Sequence, residues 1–216
     1  MTKLIIAIDG PAASGKGTLA REIAREFGFT YLDTGLLYRL VGLQILNMEG
    51  DPKKEEEAAE IARHLADNFR PEYLENPDLK SDEAGNAASQ VAAHPSVRAA
   101  LMDLQRNFPQ TTDKPGVVVD GRDIGTVIFP DADLKYFVTA DAEVRAKRRY
   151  EELKAANREE PYEKILHEMK LRDERDTGRK HAPTRKAEDA IELDTTELSI
   201  EDTLEKVKPQ ILKLSR

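Results

Sequence analysis

GPAASGKGT, Gly10 to Thr18, is the stretch on which the architecture turns, because it lies between a short apolar run, Leu4 to Ile8, and an amphipathic segment, Thr18 to Phe27. The apolar run has a strand's length, and the following segment places Leu19, Ile23 and Phe27 on one helical face. A G-x-x-x-x-G-K loop between a strand and a helix turns successive backbone N–H groups inward, and the helix N-terminus adds its own positive end. A polyphosphate fits such a loop. Gly10 and Gly15 permit the tight backbone path, and Lys16 reaches toward the outer phosphates. Spacing, lysine and flanking elements together favour this reading over a ligand-free glycine-rich turn. The expected polyphosphate site is therefore Gly10, Pro11, Ala12, Ala13, Ser14, Gly15, Lys16, Gly17 and Thr18. The hydroxyl that usually follows the lysine and meets magnesium is displaced by one position, from Gly17 to Thr18.

Outward from the loop, strands alternate with helices. Thr30 to Leu32, Val117 to Asp120, Leu134 to Val138 and Ala190 to Asp194 read as further buried strands, and a helix runs from DTGLLYR to about Met48. Asp141 is placed to cap one helix, and Ser199 with Asp202 resembles a capping box for the last. This alternation calls for an α/β fold of the P-loop kind, with a central five-stranded parallel sheet flanked by helices and joined by right-handed crossovers. Two segments stand outside it. Asp51 to Asn86 is highly charged, reads as too polar for a core element, and is expected to form a capping insertion; Ala155 to Pro161 reads as a mobile, lid-like loop between two helices.

The chain has 216 residues, which suits one main domain. Its net charge is −8, without a long block of one sign, which argues against general affinity for nucleic acid or anionic membrane. Anionic ligands must then be held by local basic groups. Cysteine is absent, excluding disulfides and thiolate chemistry, and His64, His94, His167 and His181 show no ligand spacing. No apolar run approaches the ~20 residues that span a bilayer, and no secretory leader is evident. A cytoplasmic protein is expected, and without an exposed apolar helical stripe, a monomer.

No Asn is followed by Lys, so the guanine-reading motif of signalling GTPases is missing. Phosphoryl transfer to a second small anion needs an acceptor site, for which arginine forks are suited. Tyr38 and Arg39 follow the second strand and Arg122 follows the third, where loops beyond strand carboxyl ends converge in open α/β sheets. Arg172, Arg175 and Arg179 fall at i, i+3 and i+7, with Asp173 and Asp176 on the neighbouring stripe; by themselves they also suit a solvated, salt-bridged helix face.

GPAASGKGT, DTGLLYR (Asp33 to Arg39), NAASQVAAHPSVR (Asn86 to Arg98), DGRDIGTVIFPDAD (Asp120 to Asp133), RDERDTGR (Arg172 to Arg179) and LDTTELSIE (Leu193 to Glu201) occur in this order. With this set the sequence resembles the bacterial cytidylate kinases along nearly its whole length. The resemblance implies a single P-loop kinase domain over 1–216, with a nucleoside monophosphate-binding insertion at 49–92 and a lid-like region at 154–165. It implies transfer of the γ-phosphoryl group of ATP, with Mg2+, to CMP and also dCMP. Thr34, Ser89 and Arg98 match residues at the cytosine, and Asp123 matches the carboxylate that orients that arginine. Tyr38, Arg39 and Arg122 match residues lining the acceptor phosphate, and Arg172, Asp176 and Arg179 match residues approaching sugar and base. Lys16, Arg122, Asp123 and Arg172 are the catalytic set so implied. Arg145, Arg148 and Arg149 lie just before the lid region, where family members carry arginines.

Leu36 departs from the small residue common in the family, and the insertion lacks the apolar alternation of a short hairpin. With Gly17 after the lysine no protein ligand set for magnesium is assigned; Thr18, the phosphates, or Asp33 through water remain open. Other readings are a kinase of UMP, AMP or a non-nucleotide metabolite, and a nucleotide-binding sensor without turnover.

Overall fold

The computed structural model describes residues 3–158 and 160–214. Glu159, inside the Ala155–Pro161 connection, lies outside the described residues. Strands β1 (Leu4–Asp9), β2 (Thr30–Asp33), β3 (Gly116–Gly121), β4 (Leu134–Thr139) and β5 (Ile191–Asp194) form one parallel sheet in the order β2-β3-β1-β4-β5. The helices are α1 (Lys16–Phe27), α2 (Thr34–Asn47), α3 (Glu55–Asp67), α4 (Asp82–Val91), α5 (Pro95–Arg106), α6 (Ala142–Ala155), α7 (Tyr162–Gly178) and α8 (Ile200–Leu214). The chain divides into two compact units, the first drawing on residues up to Leu32, on Thr112–Gly178 and on residues from Ala182, the second on Asp33–Thr111 and Arg179–His181.

In the first unit β1 is central, paired in parallel with β3 on one side and β4 on the other. Its residues Ile6, Ala7 and Ile8 are fully buried, as a central parallel strand requires when both faces are covered. Ile6 and Ile8 join Leu19 and Ile23 of α1 and Val207 and Ile211 of α8 in one cluster. Each such side chain contributes about 1.5–3 kcal/mol when removed from water. The last helix starts with the expected capping box, in which the Asp202 N–H donates to Ser199 Oγ at 3.0 Å and the Ser199 N–H to Asp202 Oδ2 at 3.3 Å. Asp141 occupies the N-cap position of α6, but its side chain makes no capping bond.

β5 corrects the expectation of a fifth buried strand. It is one edge of the sheet, opposite β2, and only Leu193 of its four residues is buried, while Ile191 is 38% exposed. An edge strand has one neighbour, so apolar composition alone overstated its burial.

The second unit is built from helices. Leu37, Val41 and Ile45 of α2 pack with Ala58, Ala59 and Ala62 of α3, Ala88 and Val91 of α4, and Val97 and Leu101 of α5. The 51–86 segment was expected to be too polar for a core element; instead α3 supplies three core alanines, and Leu79 is 1% exposed. Alanine makes a helix face buriable without raising its mean hydropathy, so the charged residues of the opposite face dominated the sequence signal.

Gly42 lets α2 and α4 approach. A methyl group there would lie 2.8 Å from Ala87 Cβ and 3.0 Å from the Ala88 amide nitrogen. Gly42→Ala is expected to lower stability by about 1–3 kcal/mol through overpacking, despite the ~1 kcal/mol gain in helix propensity, and to appear as a lower urea midpoint.

Candidate functional site

The loop after β1 has the backbone that an anion cradle needs. Gly10, Ala13 and Gly15 all have positive φ, at 151°, 56° and 88°. A Cβ on Gly10 would stand 2.0 Å from the Val138 carbonyl oxygen of β4, so only glycine fits there. Gly15 is the N-cap of α1 and makes no side-chain cap, at the helix end whose N–H groups and dipole favour an anion. Lys16 bends back across the loop, its Nζ donating to the Pro11 carbonyl at 3.3 Å.

Three aspartates of the first unit lie at or just past the C-terminal ends of β1 and β3. Asp9 ends β1, is 4% exposed, and accepts the N–H groups of Ile124 and Gly125 at 2.7 Å each. Burial, opposed by these two bonds, pushes its carboxyl up to about 7. It thereby fixes the π-type turn Ile124–Ile128 that follows Arg122 and Asp123. Asp120, 2% exposed, accepts from the Tyr31 hydroxyl at 3.2 Å, and Asp123 is 5% exposed. Arg122 and Arg172 converge on Asp176 of α7, with Nε–Oδ2 separations of 3.1 and 3.9 Å. Thus the structure joins three of the expected residues through one buried carboxylate. Arg175 faces differently, with a buried Nη1 that has no hydrogen-bond partner.

In the second unit, polar groups are buried among alanine and leucine. Thr34 and Ser89 are each 3% exposed and Arg98 is 6% exposed. The Arg98 guanidinium lies 5.6 Å from the centre of the Tyr38 ring and donates through Nη1 to the Ala92 carbonyl at 3.4 Å. Arg179 donates to the same carbonyl at 3.2 Å, which brings the two arginines together. The expected i, i+3, i+7 face is corrected here: α7 ends at Gly178 and Arg179 belongs to the second unit. Arg39 donates to the carbonyls of Leu79 and Ser81 at 2.5 and 2.9 Å.

The sequence model of the cytidylate kinase family matches residues 6–213. This chain belongs to that family. It is 49% identical over 201 residues to the cytidylate kinase of Caulobacter sp. (strain K31), covering 93% of this chain and 90% of that one. It is 52% identical over 200 residues to that of Rhodopseudomonas palustris (strain ATCC BAA-98 / CGA009), with 92% and 91% covered. The cytidylate kinase of Rhodospirillum rubrum is 50% identical over 205 residues, with 93% of each chain covered. Among solved structures, an uncharacterized protein from Eubacterium ventriosum ATCC 27560 shares the fold, with TM-score 0.56, 15% identity and coverage of 98% of this chain and 99% of that one.

Within this cytidylate kinase fold, the structure explains why glycine follows the lysine. A Cβ on Gly17 would lie 3.1 Å from Asp120 Oδ2 and 3.5 Å from the Tyr31 hydroxyl. A carboxylate therefore occupies the neighbourhood where a side-chain hydroxyl would otherwise project. Asp9, Asp120 and Tyr31 were given no role from sequence, although a carboxylate ending a buried strand, at the edge where α/β ligands bind, is a readable signal. No group of three or more His, Asp or Glu side chains spaced for a metal occurs among the described residues.

Gly17→Ser, which restores the commoner loop sequence, is expected to lower activity about tenfold or more by displacing Asp120, as measured by initial rates over a magnesium series. Asp9 makes a pH prediction. Its folded pKa lies above the unfolded value, so its contribution to stability is complete below about pH 4 and is lost as pH rises to about 7. Urea unfolding at pH 5 and pH 8 is expected to show a larger loss for the native protein than for Asp9→Asn.

Proposed function

We propose that this protein transfers the γ-phosphoryl group of MgATP to CMP, and also to dCMP, releasing CDP or dCDP and ADP. The observation that carries the substrate assignment is the burial of Arg98, Ser89 and Thr34 in the second unit, in a chain of the cytidylate kinase family. A guanidinium is seldom left so buried unless it has polar work to do. Cytosine offers a donor amine at N4 beside acceptors at N3 and O2, so hydroxyl and guanidinium groups complement it, whereas uracil reverses the first two. With the wrong base, buried groups stay unpaired, and that penalty is the source of discrimination.

The acceptor phosphate is already anionic at neutral pH, so its oxygen attacks the γ-phosphorus without a general base while the bond to the ADP oxygen breaks. What remains is positioning and charge neutralisation. The loop amides and Lys16 hold the donor; Arg122 and Arg172, paired on Asp176, offer guanidinium charge to phosphate. Thr18 and Asp120 are the groups that would hold Mg2+, which when bound neutralises β- and γ-phosphate charge. We assign residues 49–92 to acceptor-nucleotide binding and 154–165 to a lid-like region. We also read the protein as a cytoplasmic monomer acting on small molecules rather than on nucleic acid, the last point supported by its net charge of −8.

ADP formation from MgATP with CMP, dCMP, UMP, AMP or GMP tests this. CMP is expected to be preferred; Lys16→Ala should lower kcat on the order of 10²–10³-fold, and Arg98→Ala should erode the preference for CMP over UMP. Equal use of UMP or AMP would sink the cytosine assignment. Nucleotide binding without transfer would identify a sensor.

A further inference from the structure

Arg145 and Arg148 of α6 have no role in the reading above, yet the structure ties both to the phosphate loop. Arg145 is 6% exposed, and all three of its guanidinium nitrogens are bonded. Nε donates to the Ala140 carbonyl at 2.8 Å, Nη1 to the Ala12 carbonyl at 3.2 Å, and Nη2 to Asp173 Oδ2 of α7 at 2.7 Å. Arg148 grips Thr195, just past β5, through the Thr195 hydroxyl at 3.0 Å and carbonyl at 2.5 Å. The Thr195 hydroxyl in turn directs its one proton to the Ser14 carbonyl at 2.9 Å, with the Thr139 carbonyl of β4 as a second acceptor at 3.1 Å.

Ala12 and Ser14 flank Ala13, which holds φ at 56° without being glycine. Left-handed backbone at such a residue is strained and persists only where surrounding contacts over-determine it. Here the carbonyl on each side is pinned by a donor from a distant part of the chain. Turning N–H groups toward a polyphosphate also turns carbonyls outward, and those carbonyls need donors.

We infer that Arg145 and Thr195, the latter held by Arg148, are positioning residues that clamp the loop on both sides of Ala13 and hold it ready for the donor polyphosphate. Asp173 extends the clamp to α7, the helix that carries Arg172 and Asp176. The inference rests on the loop being the ATP site.

Calorimetric titration with the magnesium complex of a nonhydrolysable ATP analogue, and separately with CMP, tests it. In Arg145→Met and Thr195→Val the analogue is expected to bind about tenfold more weakly, the effect of losing roughly one buried hydrogen bond, while CMP affinity stays within twofold. Adding Ala13→Gly to Thr195→Val is expected to recover at least threefold, because glycine adopts the left-handed conformation unaided. Thr195→Val removes only the hydroxyl and decides the matter if Arg145→Met does not fold. If the native protein fails to bind the analogue, the ATP-site reading fails with it. If the native protein binds but both variants bind equally well, lose both affinities in parallel, or show no recovery with Ala13→Gly, the clamp is wrong.

Discussion

A peptide loop that presents its N–H groups to a polyanion cannot satisfy its own carbonyls with them, and much of the first unit is organised around that constraint. The Pro11 carbonyl accepts from Lys16, Ala12 from Arg145 and Ser14 from Thr195. Two of those donors come from more than a hundred residues away. Only a sheet that places β4 and β5 on the same side of β1 returns them to the loop. The same crowding leaves no room for a side chain at Gly10, against the Val138 carbonyl, and makes one at Gly17 press on the Asp120 carboxylate. At Gly10 glycine is required by close approach as well as by φ, and at Gly17 the constraint is close approach alone.

An acidic chain handles anionic ligands here by pairing its cations rather than by adding more. Arg122 and Arg172 meet on Asp176, and Arg145 meets Asp173. A buried ion pair contributes little net stability, because the Coulomb gain is offset by desolvation, but removing one partner strands the other. The two guanidinium groups on Asp176 are thereby held in set positions, which on the function proposed above are ready before phosphate arrives. Asp9 acts one step further back, fixing the turn after Arg122 and Asp123 through two backbone N–H groups.

The second unit is packed differently. Its core is largely alanine, leucine and valine on packed helices, with Gly42 allowing two of them to approach closely. Against that background Thr34, Ser89 and Arg98 are costly to bury, and the shared Ala92 carbonyl accounts for part of how Arg98 and Arg179 are accommodated. On the function proposed above, a base unable to pair with these desolvated groups is penalised.

The glycine and lysine spacing after a buried strand, the alternating strand and helix periodicities, the capping box at Ser199 and the ordered motifs were enough to determine the fold class, the phosphate loop and the family, because these signals are local. Contacts over long separations were not legible. Sequence could not show that β5 is an edge, that Ala13 is left-handed, that Arg179 leaves α7, or that Arg145 braces a loop 133 residues earlier. A guanidinium on a helix reads the same whether it faces solvent, phosphate or a carbonyl. Which of these it meets is decided when the chain closes on itself, since burial and partner geometry belong to the packed fold and not to the residue.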